Sequence, residues 1–198
     1  MKDSAELTAL LGSRICHDLI SPIGAIGNGV ELLMMEAATT SPEMALIAES
    51  VAAANARIRY FRVAFGLASE DQRISRAEVT SILAAVTQGG RLEIDWQASG
   101  DLARVDAKLL FLALQCLETA LAFGGRITVQ FEKPRWILTA HATRTRFDPA
   151  LWERLSNPQA KADIGPAQVH FALLPEALTL RKRKLALEVR ETEIKLSF

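Results

Sequence analysis

Between about Ser4 and about Ser69 the chain shows almost no strand signal, and one break, Ala38-Thr39-Thr40-Ser41-Pro42, divides this stretch into two long periodic segments. In the first, Cys16, Leu19, Ile23, Ile26, Val30 and Leu33 recur at alternating three- and four-residue steps. Met44, Ile47, Val51, Ala54, Ile58, Phe61 and Phe65 do the same in the second. That spacing keeps one face of a helix apolar, so the segment reads as a helical hairpin with a bundle seam on each arm. Ser41 followed by Pro42 and Glu43 is an N-cap with proline at the first helical position, which fixes the start of the second arm. Ile15, Ile20 and Leu46 lie beside the seams, and two helices alone cannot cover them. Pairing two hairpins in a four-helix bundle would, so a homodimer is expected.

Past the polar stretch Ser69-Glu70-Asp71-Gln72-Arg73, which reads as a short linker, the pattern turns mixed. Val79–Val86 looks helical, Arg91–Gln97 alternates as a strand, and Asp106–Phe123 is a strongly apolar helix ended by Gly124-Gly125. Arg126–Glu132 and Arg135–His141 form a hairpin around Lys133-Pro134. Pro166–Leu180 is helical, and Lys184–Glu191 with Thr192–Phe198 suggests a last strand pair. The expected fold class is therefore α+β. A hairpin over residues 1–70 precedes an α/β sandwich over 75–198, with helices laid on one mostly antiparallel sheet. The hairpin, cut near Ser69, is expected to remain folded and dimeric without the sandwich, with His17 still functional.

Charge narrows the function. Among 198 residues, 23 basic side chains balance 23 acidic ones, so no diffuse positive field is present to hold nucleic acid or anionic lipid. The longest charge-free apolar run, Leu19–Val30, is interrupted by Ser21, Pro22 and three glycines. It is far shorter than the roughly 20 residues of a membrane span. The first residues, including Lys2, Asp3 and Glu6, do not form a secretory signal, and a cytoplasmic protein is expected. Cys16 and Cys116 lack metal or redox spacing and read as buried thiols, and His17, His141 and His170 form no metal motif. Arg181-Lys182-Arg183-Lys184 reads as a solvated turn, and Trp96, Trp136 and Trp152 as packing residues.

Chemistry concentrates at His17-Asp18-Leu19-Ile20-Ser21-Pro22. With the seam running through Cys16 and Leu19, His17 turns toward solvent or a partner. A neutral imidazole, whose unperturbed pKa is ~6.5, offers a free ring nitrogen near neutral pH. Asp18 beside it can hold the other N–H and favour the nucleophilic tautomer. Pro22 removes a helix hydrogen bond and crowds the Asp18 carbonyl, one turn beyond the histidine. An ordinary surface histidine on a kinked helix is the alternative. Ser21, Gly24 and Asn28 share the face of His17 and are small enough to admit a partner helix, or else they allow close packing across a dimer. Folding the hairpin back places roughly residue 62 level with His17. Arg59 and Arg62 then face an acidic pocket of a partner or the second protomer, or else they pair with acids on neighbouring helices.

The His17–Pro22 stretch resembles the phosphoacceptor box, His-Glu/Asp-Leu-x-x-Pro, of the dimerisation and histidine-phosphotransfer domain of sensor histidine kinases. The order of elements in the sandwich resembles their ATP-binding domain. Such kinases hold ATP and Mg²⁺ through a helix bearing Glu-x-x-x-Asn-Ala, but the matching helix here reads Gln115-Cys116-Leu117-Glu118-Thr119-Ala120, without the hard oxygen ligands that Mg²⁺ prefers. Leu138–Arg144 stands where an Asp-x-Gly-x-Gly strand would be expected, and Ile164-Gly165-Pro166 where a glycine-rich lid would. A kinase-shaped dimer with the histidine and without the nucleotide site resembles the ChpT-type histidine phosphotransferases of bacterial phosphorelays. What this implies is transfer through His17, assisted by Asp18, between aspartates on the receiver domains of a hybrid histidine kinase and of response regulators. Ser21, Gly24, Asn28, Arg59 and Arg62 would dock the receiver. The chain would bind no cofactor or metal of its own, Mg²⁺ would come with the receiver, and autokinase activity would be lost. Two other readings stay open: a divergent ATP-dependent histidine kinase using ligands such as Glu118, and a non-catalytic receiver-binding dimer scaffold.

Overall fold

The computed structural model describes residues 4–36, 41–157, 160 and 163–198. The hairpin turn read at Ala38-Thr39-Thr40 lies outside the described residues, as do Lys2 and Asp3. Helix α1 spans Ser4–Glu36 and runs through Pro22. Helix α2 spans Pro42–Ala64, and Ser41 caps it as the sequence indicates, its Oγ accepting from the Met44 amide at 3.2 Å. The two pack antiparallel, with Gly12 against Phe65 at one end and Gly27 against Val51 farther along.

The rest follows in the order β1 (Arg73–Ile74), α3 (Arg76–Thr87), β2 (Leu92–Trp96), β3 (Leu102–Ala103), α4 (Arg104–Ala120), β4 (Gly125–Glu132), β5 (Arg135–His141), α5 (Pro149–Ser156), a 3-10 turn at Pro166–Gln168, α6 (His170–Leu180), β6 (Ala186–Val189) and β7 (Glu193–Ser197). Five strands form one sheet in the order β2-β4-β5-β7-β6, in which only the β2–β4 pair is parallel. Side chains alternate across it. Ile127, Val129, Leu138, Ala140, Ile194 and Leu196 are buried beneath the helices, while Thr128, Thr139 and Lys195 lie on the more open face. This is the half-buried pattern of an antiparallel sheet covered on one side. Gly124 turns α4 back into the sheet with a positive φ of 100°, and a side chain there would strike the Arg91 backbone.

Helix α4 is the central beam, and from Leu109 to Leu117 every side chain is buried. Trp96, Trp136 and Trp152 are buried, and both cysteines are buried free thiols. The stretch 69–73 is more structured than a linker. Arg73 and Ile74 pair with Ala103 and Leu102, and the Ser69 amide donates to Gln72 Oε1 at 3.3 Å. The basic turn is also more committed than expected, because Arg181 pairs with Glu70, and Arg183 with Asp106 at 2.9 Å. No described helix is long and apolar enough to cross a membrane.

The end of α2 is built into the sandwich. Tyr60, Val63 and Ala64 belong to the same buried cluster as α4. The Tyr60 hydroxyl donates to the Phe111 carbonyl at 2.8 Å, with the two rings 4.7 Å apart. A helix C-terminus leaves carbonyls without intrahelical partners, and cations complement its dipole. Arg104 donates to the Arg62 and Val63 carbonyls at 2.6 and 3.3 Å, and Lys108 to that of Gly66 at 2.9 Å. This packing opposes the expectation that the hairpin, cut near Ser69, stands alone.

Candidate functional site

The two seams divide by residue. On α1, Cys16 and Val30 are buried and Ile23 is half-buried, whereas Leu19, Ile26 and Leu33, at the intervening positions, are 44, 50 and 53% exposed. On α2, Ile47 and Phe61 are likewise open. One set of positions closes the hairpin on itself, and the other leaves an apolar stripe facing outward.

His17 lies about 100° around the helix from Cys16, and its side chain is 83% exposed. Its Nδ1 is 3.2 Å from Asp18 Oδ1, and the other carboxylate oxygen accepts from Arg14 Nε at 2.7 Å. With Nδ1 carrying the hydrogen toward Asp18, Nε2 keeps its lone pair and faces solvent. The bond to His17, followed by the guanidinium of Arg14, holds the Asp18 carboxyl below the usual carboxylate range. Asp18 is therefore an anion throughout the neutral range. Arg14 was not singled out in the sequence, although its four-residue spacing from Asp18 is an ordinary signal for a helical ion pair.

Ser21 and Asn28 are exposed and Gly24 is half-buried on the same helix. A Cβ at Gly24 would meet nothing within 4 Å, so no contact within the chain demands glycine there. The close approach to α2 is made by Gly27 instead. The pairings Gly12–Phe65 and Gly27–Val51 set His17 level with Tyr60 and Phe61, within the expected window. Arg59 is half-buried at this level. Arg62 lies near enough to Cys16 for its charge to oppose the upward push of burial on that thiol, and its Nη2 is 3.7 Å from Glu78 Oε1 on α3. Within one chain Arg62 thus has an acidic neighbour on α3, through a weak, exposed pair.

The residues aligned with a kinase nucleotide site are engaged in packing. Gln115 is buried against its own helix, and Thr119 donates to the Gln115 carbonyl at 2.9 Å. His170 of α6 sets Nε2 at 3.2 Å from the Thr119 hydroxyl, and burial lowers its pKa to about 4. Trp152 and Phe171 meet edge to face beside it. Glu118 is bound by Arg57 of α2 at 2.8 Å, so the carboxylate that a divergent kinase would use instead ties hairpin to sandwich. Among the described residues no group of three or more His, Cys, Asp or Glu side chains could hold a metal ion.

An exposed imidazole steadied by a carboxylate on a hairpin, joined to a kinase-like sandwich, defines a class, and the comparisons agree with it. The family model described as the histidine phosphotransferase C-terminal domain matches residues 76–193, and the chain belongs to this family. It is similar to the protein phosphotransferase ChpT of Brucella abortus (strain 2308), at 34% identity over 177 residues, 85% of this chain and 84% of that protein. Among solved structures, that of a bacterial phosphotransferase superposes with a TM-score of 0.70 at 27% identity, covering 100% of this chain and 97% of the other. Full-length ShkA in complex with AMPPNP, at 13% identity and a TM-score of 0.50, shares the fold over 94% of this chain and 45% of its own.

Proposed function

We propose that the chain relays a phosphoryl group between receiver-domain aspartates through His17 in a two-component phosphorelay. The observation that carries this is the exposed imidazole with Nδ1 on Asp18 and Nε2 free. Membership of the histidine phosphotransferase family supports it. Phosphoryl transfer runs through a loose transition state that needs in-line placement and charge neutralisation more than covalent help. A fixed imidazole suffices when the receiver brings Mg²⁺ and its own cation. The surface of Ser21, Gly24 and Asn28, with Arg59 and Arg62 at the level of His17, docks the receiver. The donor receiver belongs to a hybrid kinase and the acceptors to response regulators, in the cytoplasm. No nucleotide is required, and no autokinase step is part of the reading.

The same proposal includes a homodimer. Leu19, Ile26, Leu33, Ile47 and Phe61 form an open stripe of the kind a second hairpin covers in a four-helix bundle. The test is acceptance of label from a phosphorylated receiver by wild type and His17→Ala. Labelling of wild type alone is expected. Equal labelling of the variant moves the acceptor elsewhere, and labelling of wild type by ATP with no receiver present restores the kinase reading. Receiver binding that survives His17→Ala, with no transfer by wild type, leaves the scaffold.

A further inference from the structure

We infer that Arg14 is a positioning residue for phosphoryl transfer, acting through Asp18. This rests on the reading of His17 as acceptor. In the accepting step the Nε2 lone pair forms the N–P bond while the P–O bond to the receiver aspartate breaks, and that carboxylate leaves as the anion. The Nδ1 proton stays on a ring that has become cationic. Both requirements, a hydrogen on Nδ1 beforehand and a negative charge beside it afterwards, fall on one oxygen of Asp18, 3.2 Å away.

An exposed aspartate on a helix has rotamers that point away from the residue before it, and nothing in the bond to His17 alone selects among them. The 2.7 Å bond from Arg14 Nε to the opposite oxygen makes that selection. Arg14 lies one turn before Asp18, so its guanidinium pins the carboxylate from the N-terminal side and turns the remaining oxygen toward the imidazole. Arg14 and Asp18 are 74 and 48% exposed, and an ion pair that open contributes little to folding. Its effect therefore falls on the tautomer and not on stability.

The experiment is a double-mutant cycle of wild type, Arg14→Ala, Asp18→Asn and the double variant. It reads the rate of transfer from a phosphorylated receiver, the imidazole tautomer by ¹⁵N NMR, and thermal melting. Arg14→Ala is expected to slow transfer about fivefold and to deplete the Nδ1–H tautomer, with an unchanged melting temperature and no further loss on the Asp18→Asn background. A wild-type rate for Arg14→Ala overturns the inference. So does a full fivefold loss on the Asp18→Asn background, which would mean that the arginine acts on the phosphoryl group or the receiver directly. His17→Ala in the same assay separates the two levels. Labelling of that variant removes the acceptor reading, whereas its silence beside a fast Arg14→Ala removes only the role of Arg14.

Discussion

Helices α1 and α4 are both rich in leucine, yet the chain completes the surroundings of α4 and leaves those of α1 unfinished. Around α4 the sheet, α2 and α6 close on every side, and Tyr60, Phe111, Leu138 and Phe171 are almost wholly buried. Along α1 the main packing partner among the described residues is α2, and Leu11, Ile15, Leu19, Ile26, Leu32 and Leu33 remain exposed. Single apolar residues on a surface need no explanation, but a continuous stripe does. The difference teaches that the sandwich completes its own core, whereas the histidine helix leaves an apolar face uncovered within one chain.

The harshest way to break this contrast is to separate the regions. A hairpin ending at Ser69 exposes Tyr60, Val63 and Ala64 and loses the caps from Arg104 and Lys108. It is expected to lose most of its helical circular dichroism relative to the same residues in the full chain. A fully helical fragment would show the bundle to be self-sufficient. Within the closed region, Phe111→Ala removes a buried ring and its tilted contact with Tyr60, and is expected to cost about 3–5 kcal/mol in chemical denaturation.

His170 sharpens the contrast through pH. Its imidazole is neutral in the fold with a pKa of about 4, whereas in the unfolded chain it takes up a proton near the ordinary histidine value of ~6.5. The unfolded state therefore binds more protons between those values. The contribution of His170 to stability is expected to fall as pH drops from about 6.5 toward 4, by at most about 3 kcal/mol, and to level off below. Denaturation midpoints across that window should slope less for His170→Leu than for wild type. In the open region, Ile26→Asp is expected to raise the dissociation constant of the proposed dimer at least about tenfold in analytical ultracentrifugation, with the sandwich melting as before. The smallest effect belongs to Arg62→Glu, whose pair with Glu78 is long and exposed. Less than about 0.5 kcal/mol of stability is expected to change, while receiver association slows at low salt through lost steering.

The helical hairpin, the Ser41-Pro42 start and most of the strands were legible because period, cap and turn residues are local signals. Helix α5 was missed although its own signal was present. Asp148 caps it, with Oδ1 accepting from the Ala150 amide at 3.1 Å, Pro149 opens it, and Leu151, Trp152 and Leu155 are buried. Strands β1 and β3 were not legible, since two residues each become strands only by pairing across some thirty residues of chain. The seams were read as one stripe per helix, and their division into closed and open positions depends on where α2 sits. His17 and Asp18 were found from their order in the chain, whereas Arg57–Glu118 and Tyr60–Phe111 join residues that no sequence pattern relates.

The capped end of α2 has a consequence for recognition. Tyr60, level with His17, is already anchored in the sandwich, so helix packing at that level fixes where the imidazole stands relative to the sandwich. In the proposed relay the molecule would then work as a caliper whose opening was set when it folded, and a receiver would be gauged by whether its bulk fits that opening while its aspartate comes into line.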